Sequence, residues 1–158
     1  MIIKQLVDED FVNYKKPSMF IAFPSCTFKC EKECGQKMCQ NSSLATSPSI
    51  DIPIHSIVER YINNPITQAI VCGGLEPFDS VFLLRLIIYF RNNTKDDIVI
   101  YTGYTEAELE EDGILSCLRE YENIIIKFGR YIPNQQPHYD EVLGIKLVSD
   151  NQYGKRIS

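Results

Sequence analysis

Four cysteines, Cys26, Cys30, Cys34 and Cys39, fall within fourteen residues and form the densest concentration of reactive groups in the chain. Thiolates this close can wrap one metal centre, because soft sulfur ligands suit both iron–sulfur clusters and zinc. Cys26-Thr27-Phe28-Lys29-Cys30 supplies a pair with three residues between its members. The third ligand is then Cys39 or Cys34, or all four thiolates close a tetrahedral zinc site. Intervals of three, three and four residues are looser than the paired knuckles of most zinc sites, and lean toward iron–sulfur. A second motif, Gly73-Gly74-Leu75-Glu76-Pro77, combines glycines that let a backbone approach a ligand with a carboxylate able to meet an ammonium group. The plainer reading of that motif is a strand-to-helix turn.

The elements around these motifs alternate. Met1–Val7 and Ser18–Phe23 are apolar runs that read as strands, and the second leads directly into Pro24-Ser25-Cys26. Residues 27–50 are polar and read as one long loop. A capping box at Ser56–Glu59 predicts a helix to Asn63, Gln68–Cys72 a strand ending at the glycines, and Asp79 the cap of a helix to Arg91. Asp97–Tyr101 reads as a strand, Thr105–Glu108 as a second capping box whose helix breaks near Asp112-Gly113, Asn123–Phe128 as a strand, and Gly144–Val148 as a last one. Strands that are continuous apolar runs, separated by helices, predict an α/β domain of βα units with a mostly parallel sheet. Ligand-binding groups in such folds collect beyond the carboxyl ends of the strands. That edge is where Cys26, the Gly73–Glu76 turn, Tyr101–Gly103 and Phe128–Arg130 fall.

Composition is compatible with this. The chain has 158 residues, 44% hydrophobic and 23% charged, enough for one domain, 1–158, with a real core. A net charge of −5 offers no basic excess for nucleic acid or an anionic membrane. No segment reaches the roughly 18 apolar residues of a membrane span, and the N-terminus turns acidic before it could form the apolar core of a secretory signal. These features predict a cytoplasmic protein, where clustered thiols bind metal more often than they form disulfides. Cys72 and Cys117 read as small core hydrophobes, His55 and His138 as surface loop residues, and Glu106–Asp112 as a solvated helix face. Tyr131 and Tyr139, with Pro133 and Pro137 between them, read as an exposed docking loop.

Taken in order, these residues resemble the radical S-adenosylmethionine (radical SAM) activases of anaerobic, class III ribonucleotide reductase. The likeness runs through the cysteine loop 24–41 ending in Cys39-Gln40-Asn41, the Gly-Gly-Leu-Glu-Pro turn, Ile100–Tyr104 and Lys127-Phe128-Gly129-Arg130-Tyr131. It closes with Leu143–Lys146 and Ser149-Asp150-Asn151-Gln152. The resemblance implies a partial (β/α) barrel and a 4Fe–4S cluster on Cys26, Cys30 and Cys39, with S-adenosylmethionine bound to the remaining iron. Reductive cleavage of that cofactor would give a 5′-deoxyadenosyl radical, which abstracts hydrogen from a glycine of a large partner reductase. No side chain is then catalytic in its own right. The resemblance further implies that Gly73, Gly74 and Glu76 lie against the methionine moiety, that Tyr101, Thr102 and Gly103 line the cofactor side, and that a flavodoxin or ferredoxin supplies the electron. The chain departs from the family at three points: eight residues separate Cys30 from Cys39, Met38 stands where an aromatic is usual, and Leu75 interrupts the glycine–glutamate turn.

Overall fold

The computed structural model describes residues 1–158. A six-stranded mixed sheet forms its centre. The strands are β2 (Gln5–Asp10), β3 (Ser18–Phe23), β5 (Ala69–Gly74), β6 (Asp97–Tyr101), β7 (Ile124–Phe128) and β10 (Tyr153–Arg156). Across the sheet the order is β10-β7-β6-β5-β3-β2. The four inner strands are parallel, and β2 and β10 pair antiparallel at the edges. Between the strands run α3 (Ile54–Ile62), α4 (Phe82–Arg91) and the pair α5 (Glu106–Glu111) and α6 (Ile114–Leu118). Two small antiparallel pairs lie outside the sheet, β1 (Ile2–Ile3) with β4 (Ile50–Asp51) and β8 (His138–Asp140) with β9 (Ile145–Leu147).

Burial explains the continuous apolar runs. Ile124–Phe128 is buried at every position, because both faces of the inner strands are covered. Side chains alternate between the faces. Ile70, Cys72, Ile98, Ile100, Ile124 and Ile126 enter a core of 22 residues shared with the helices. Ala69, Val71, Val99 and Ile125 face a smaller core with Tyr14, Leu143 and Leu147. This second face carries no helix: the segment 11–16 crosses it, tied down by Lys15 N–H to the Leu143 carbonyl at 2.8 Å and by Tyr14 O–H to Asp97 at 3.0 Å. The same parity sends Gly73, Tyr101 and Lys127 to the helix-free face at the carboxyl ends of their strands.

Several sequence expectations are corrected. The Ser56 capping box does not form; α3 starts two residues earlier, after Pro53, whose fixed φ suits a helix entry. His55 is therefore an exposed helix residue rather than a loop residue. Asp79 does not cap α4, which begins only at Phe82; Pro77–Asp79 forms a separate 3₁₀ turn. The loop 27–50 contains two short helices, α1 (Lys29–Cys34) and α2 (Ser42–Thr46). The strand at Ile145–Leu147 belongs to the small hairpin, and β10, a polar edge strand, closes the sheet in its stead. Cys117 is exposed, not a core residue, whereas Cys72 is fully buried. The Thr105–Glu108 capping box and the break at Gly113 form as the sequence indicates. No helix is long and apolar enough to cross a membrane.

Candidate metal and cofactor site

The cysteine loop leaves β3 and is held onto the sheet edge by contacts from far along the chain. The Glu76 N–H donates to the Ser25 carbonyl at 2.8 Å, so the loop and the Gly73–Pro77 turn share a backbone bond. The Thr27 N–H donates to Asp79 Oδ2 at 2.8 Å, while Tyr104 O–H donates to Asp79 Oδ1 at 2.9 Å. Phe28 turns left-handed at φ 53° and starts α1, which carries Cys30. The Glu31 carboxylate then accepts from the N–H groups of Met38 (3.2 Å) and Cys39 (3.0 Å), folding the loop back on α1. Finally the Asn41 amide donates to the Gly74 carbonyl at 2.7 Å.

The result is a cavity of about 400 Å³ whose wall includes Cys26, Cys30 and Cys39, and does not include Cys34. Cys34 is exposed, with its sulfur 3.0 Å from the Met38 thioether. Met38 likewise does not line the cavity. Burial pushes the Cys26 thiol up to about 11 and also raises Cys30, the latter reinforced by the nearby Cys39. Loading iron must therefore displace protons from thiols that hold them at neutral pH. No group of three or more His, Cys, Asp or Glu side chains converges in ready-made geometry around a single ion. Three thiols distributed along one cavity wall, on a loop of short helices and turns, fit a multi-iron cluster better than a closed tetrahedral zinc site.

The turn after β5, bonded to the cysteine loop, supplies the adjoining wall. Gly74 adopts φ +80°, and a Cβ there would stand 2.7 Å from Ala22 Cβ, so only glycine fits. Gly73 lies one residue behind the wall, where a Cβ would touch the Phe20 ring at 3.0 Å. Glu76 is buried, and both of its oxygens are engaged: Oε1 accepts from Thr102 O–H (2.8 Å) and Phe78 N–H (3.2 Å), and Oε2 from Gly103 N–H (2.9 Å). Burial lifts its pKa to about 7, against the downward pull of those three donors. Thr102 and Gly103 line the cavity while holding Glu76; Tyr101 lines it while its hydroxyl donates to the Asn13 carbonyl, pinning segment 11–16 as a further wall.

A charged cluster braces α1, with Lys29, Tyr104 and Arg130 themselves on the cavity wall. Arg130 grips Glu108 through both terminal nitrogens (2.9 and 2.7 Å) and reaches Glu33 at 3.1 Å. Lys29 lies 3.6 Å from Glu108 and 4.3 Å from the Tyr104 ring centroid. The Arg130 guanidinium holds the Glu108 carboxyl down at about 2. The acidic helix start is therefore partly a clamp rather than only a solvated face. Sequence reasoning named Asp79 and Asn41 but missed the bonds they make here, and missed this clamp, because the partners lie tens of residues away and no local pattern marks them.

A family model described as a 4Fe-4S single cluster domain matches residues 17–152, most of the chain, and the protein belongs to that family. It is an iron–sulfur protein of the 4Fe–4S type. No curated protein and no solved structure matches it.

The latch at Asp79 yields a direct expectation. Asp79→Ala removes the acceptor for Thr27 N–H and Tyr104 O–H, at a cost of about 1–2 kcal/mol in apoprotein stability. The loaded variant should release iron to a chelator several-fold faster than wild type, followed by the decay of visible absorbance. Equal release rates would show that the latch does not hold the cysteine loop.

Proposed function

We propose that this protein is a radical SAM enzyme, and specifically one that installs a glycyl radical on a large partner such as anaerobic ribonucleotide reductase. The observation that carries this reading is the division of the cysteines: three thiols line one cavity with the Gly74–Glu76 turn, while Cys34 lies outside it. Three protein thiolates leave one iron of a four-iron cluster available to S-adenosylmethionine. The chemistry such a cluster and cofactor supply when bound is one-electron cleavage of the sulfonium followed by hydrogen-atom abstraction.

The protein's own residues bind, orient and exclude solvent. Cys26, Cys30 and Cys39 are the proposed cluster ligands. The Gly74 backbone provides close approach for the methionine moiety, with Gly73 packed behind it against Phe20. Glu76 acts through the turn it organises, since its oxygens are already committed to Thr102, Gly103 and Phe78. Tyr101 closes one side by holding segment 11–16, which limits water at the site. On this reading the helix-free face is the inner face of a partial barrel, and a flavodoxin or ferredoxin is the reductant. Tyr139 and Ile132, exposed on the segment after β7, belong to the rim a protein partner would meet.

The test is anaerobic reconstitution followed by dithionite reduction with S-adenosylmethionine. The expected result is a brown protein that releases 5′-deoxyadenosine, and a glycyl radical signal in electron paramagnetic resonance once the reductase is added. A fully loaded, reducible cluster that leaves S-adenosylmethionine intact would overturn the proposal. Cleavage without a glycyl radical on a competent reductase would overturn the partner alone.

A further inference from the structure

The hairpin of β8 and β9 leaves one strand edge unpaired beside the cavity. Ile145, Lys146, Leu147 and Val148 are consecutive and all line the cavity wall, whereas no residue of β8 does. β9 therefore stands between β8 and the cavity, with its second edge toward the opening. It pairs with β8 alone, in the register Asp140↔Ile145, Tyr139↔Lys146 and His138↔Leu147. In a two-stranded antiparallel pair, every second residue turns its N–H and C=O away from the partner strand. No backbone bond outside the hairpin takes up those groups along 145–148. The adjacent hydroxyl, of Ser149, serves the Ile132 backbone instead.

The two edges of the central sheet are blunted, and this one is not. β2 ends in Asp8-Glu9-Asp10, with an irregularity in its pairing between Val7 and Asp10. β10 carries Lys155 and Arg156, and its Gly154 N–H is already taken by Asp140 Oδ2 at 2.7 Å. Charges, bulges and caps of this kind discourage strand pairing. β9 runs in regular register, and its one charged residue is Lys146. Ile145 and Leu147 turn into the second core, so Lys146 and Val148 point the other way. Val148 is 41% exposed, and Val12, on the segment crossing the helix-free face, is 74% exposed on the same cavity wall.

Alternating donors and acceptors along a strand edge are matched by another extended backbone, with alternate side chains of the added strand supplying specificity. Lys146 argues against a second copy of this chain as that strand. It is exposed and, unlike Lys16, Lys29, Lys95 and Lys155, forms no ion pair. Two copies of β9 paired antiparallel about this residue would set like charges directly opposite, which is destabilising.

We infer that the free edge of β9 receives an extended segment of the protein partner as an added strand, with Val12 and Val148 taking its apolar side chains. The inference rests on the proposed activity and specifies how the partner's backbone is brought to the cavity. Each main-chain bond of such a pairing corresponds to about a twofold to tenfold change in affinity.

The test uses the anaerobically reconstituted protein, intact anaerobic ribonucleotide reductase, and a short fluorescent peptide spanning the reductase's radical-bearing glycine. Amide hydrogen exchange at 145–148 should slow severalfold when the reductase is added. Peptides N-methylated at single positions should divide by parity in an anisotropy titration. Methylation at alternate residues weakens binding severalfold, and methylation between them has little effect, because only every second amide faces β9. Val148→Ser should weaken the unmodified peptide severalfold while leaving S-adenosylmethionine cleavage without partner unchanged. A peptide that does not bind, methylation effects without parity, or unchanged exchange at 145–148 would each overturn strand addition. If the reductase still acquires its glycyl radical in that sample, the proposed activity stands without it. If S-adenosylmethionine is left intact, the activity falls and this partner with it.

Discussion

Cys39→Ser is expected to abolish assembly of the 4Fe–4S cluster, whereas Cys34→Ser is expected to assemble it as well as wild type. The two residues are five positions apart in one polar loop, and both carry free thiols. What separates them is the Glu31 carboxylate, which takes the N–H groups of Met38 and Cys39 and turns Cys39 toward the cavity shared with Cys26 and Cys30. Cys34 ends α1 on the outside, against the Met38 thioether. With the proposed set of three thiolates, losing one leaves two irons of the cluster without protein ligands, so the loss should be near total. Iron and sulfide content with visible absorbance after anaerobic reconstitution decides the matter. A Cys34→Ser protein as empty as Cys39→Ser would make Cys34 a ligand and would remove the vacant iron on which the proposed activity depends. Glu31→Ala provides an independent check: it leaves every cysteine in place, and should lower cluster occupancy by releasing Cys39.

Glu76→Ala is expected to produce the largest loss of apoprotein stability among the site variants. The carboxylate accepts from three separate donors, Thr102 O–H and the N–H groups of Phe78 and Gly103, and the residue is buried. Removing the acceptor strands those donors. A buried, unsatisfied donor costs about 1–3 kcal/mol; the Thr102 bond is buried and the other two partly so, which sums to roughly 2 kcal/mol or more where water relieves one of them. Because Thr102 and Gly103 follow β6 while Glu76 follows β5, the same substitution also uncouples two adjacent strand ends at the cavity. Glu76→Gln retains the shape but turns an NH₂ group toward a donor, and should fall between wild type and alanine. Chemical denaturation of the apoprotein measures this directly. A Glu76→Ala protein within about 0.5 kcal/mol of wild type, the range of ordinary surface substitutions, would show that the carboxylate does not organise the turn.

Residues 18–23, 97–101 and 124–128 are legible as strands from the chain alone, because a strand buried on both faces must be mostly apolar and that requirement is local. The Thr105–Glu108 capping box is equally local, its partners being three residues apart. The thiol-rich loop at the end of β3 and the glycine turn at the end of β5 are likewise legible, and with them the candidate cavity edge. The polar strand β10 escaped notice because an edge strand needs only backbone pairing and one covered face, so its side chains carry no signal. Lys127 left one trace, a lysine continuing the run Ile124-Ile125-Ile126, but its burial follows from the helix-free face behind it. The resemblance already favours Cys39 over Cys34 through Cys39-Gln40-Asn41, whereas the capture of Glu76 by Thr102 and Gly103 and the use of Asp79 as a latch were decided by tertiary structure alone. Each depends on which side chains the parallel topology brings to one edge. Such meetings between residues up to 52 positions apart leave no mark on the short-range patterns of propensity and hydropathy.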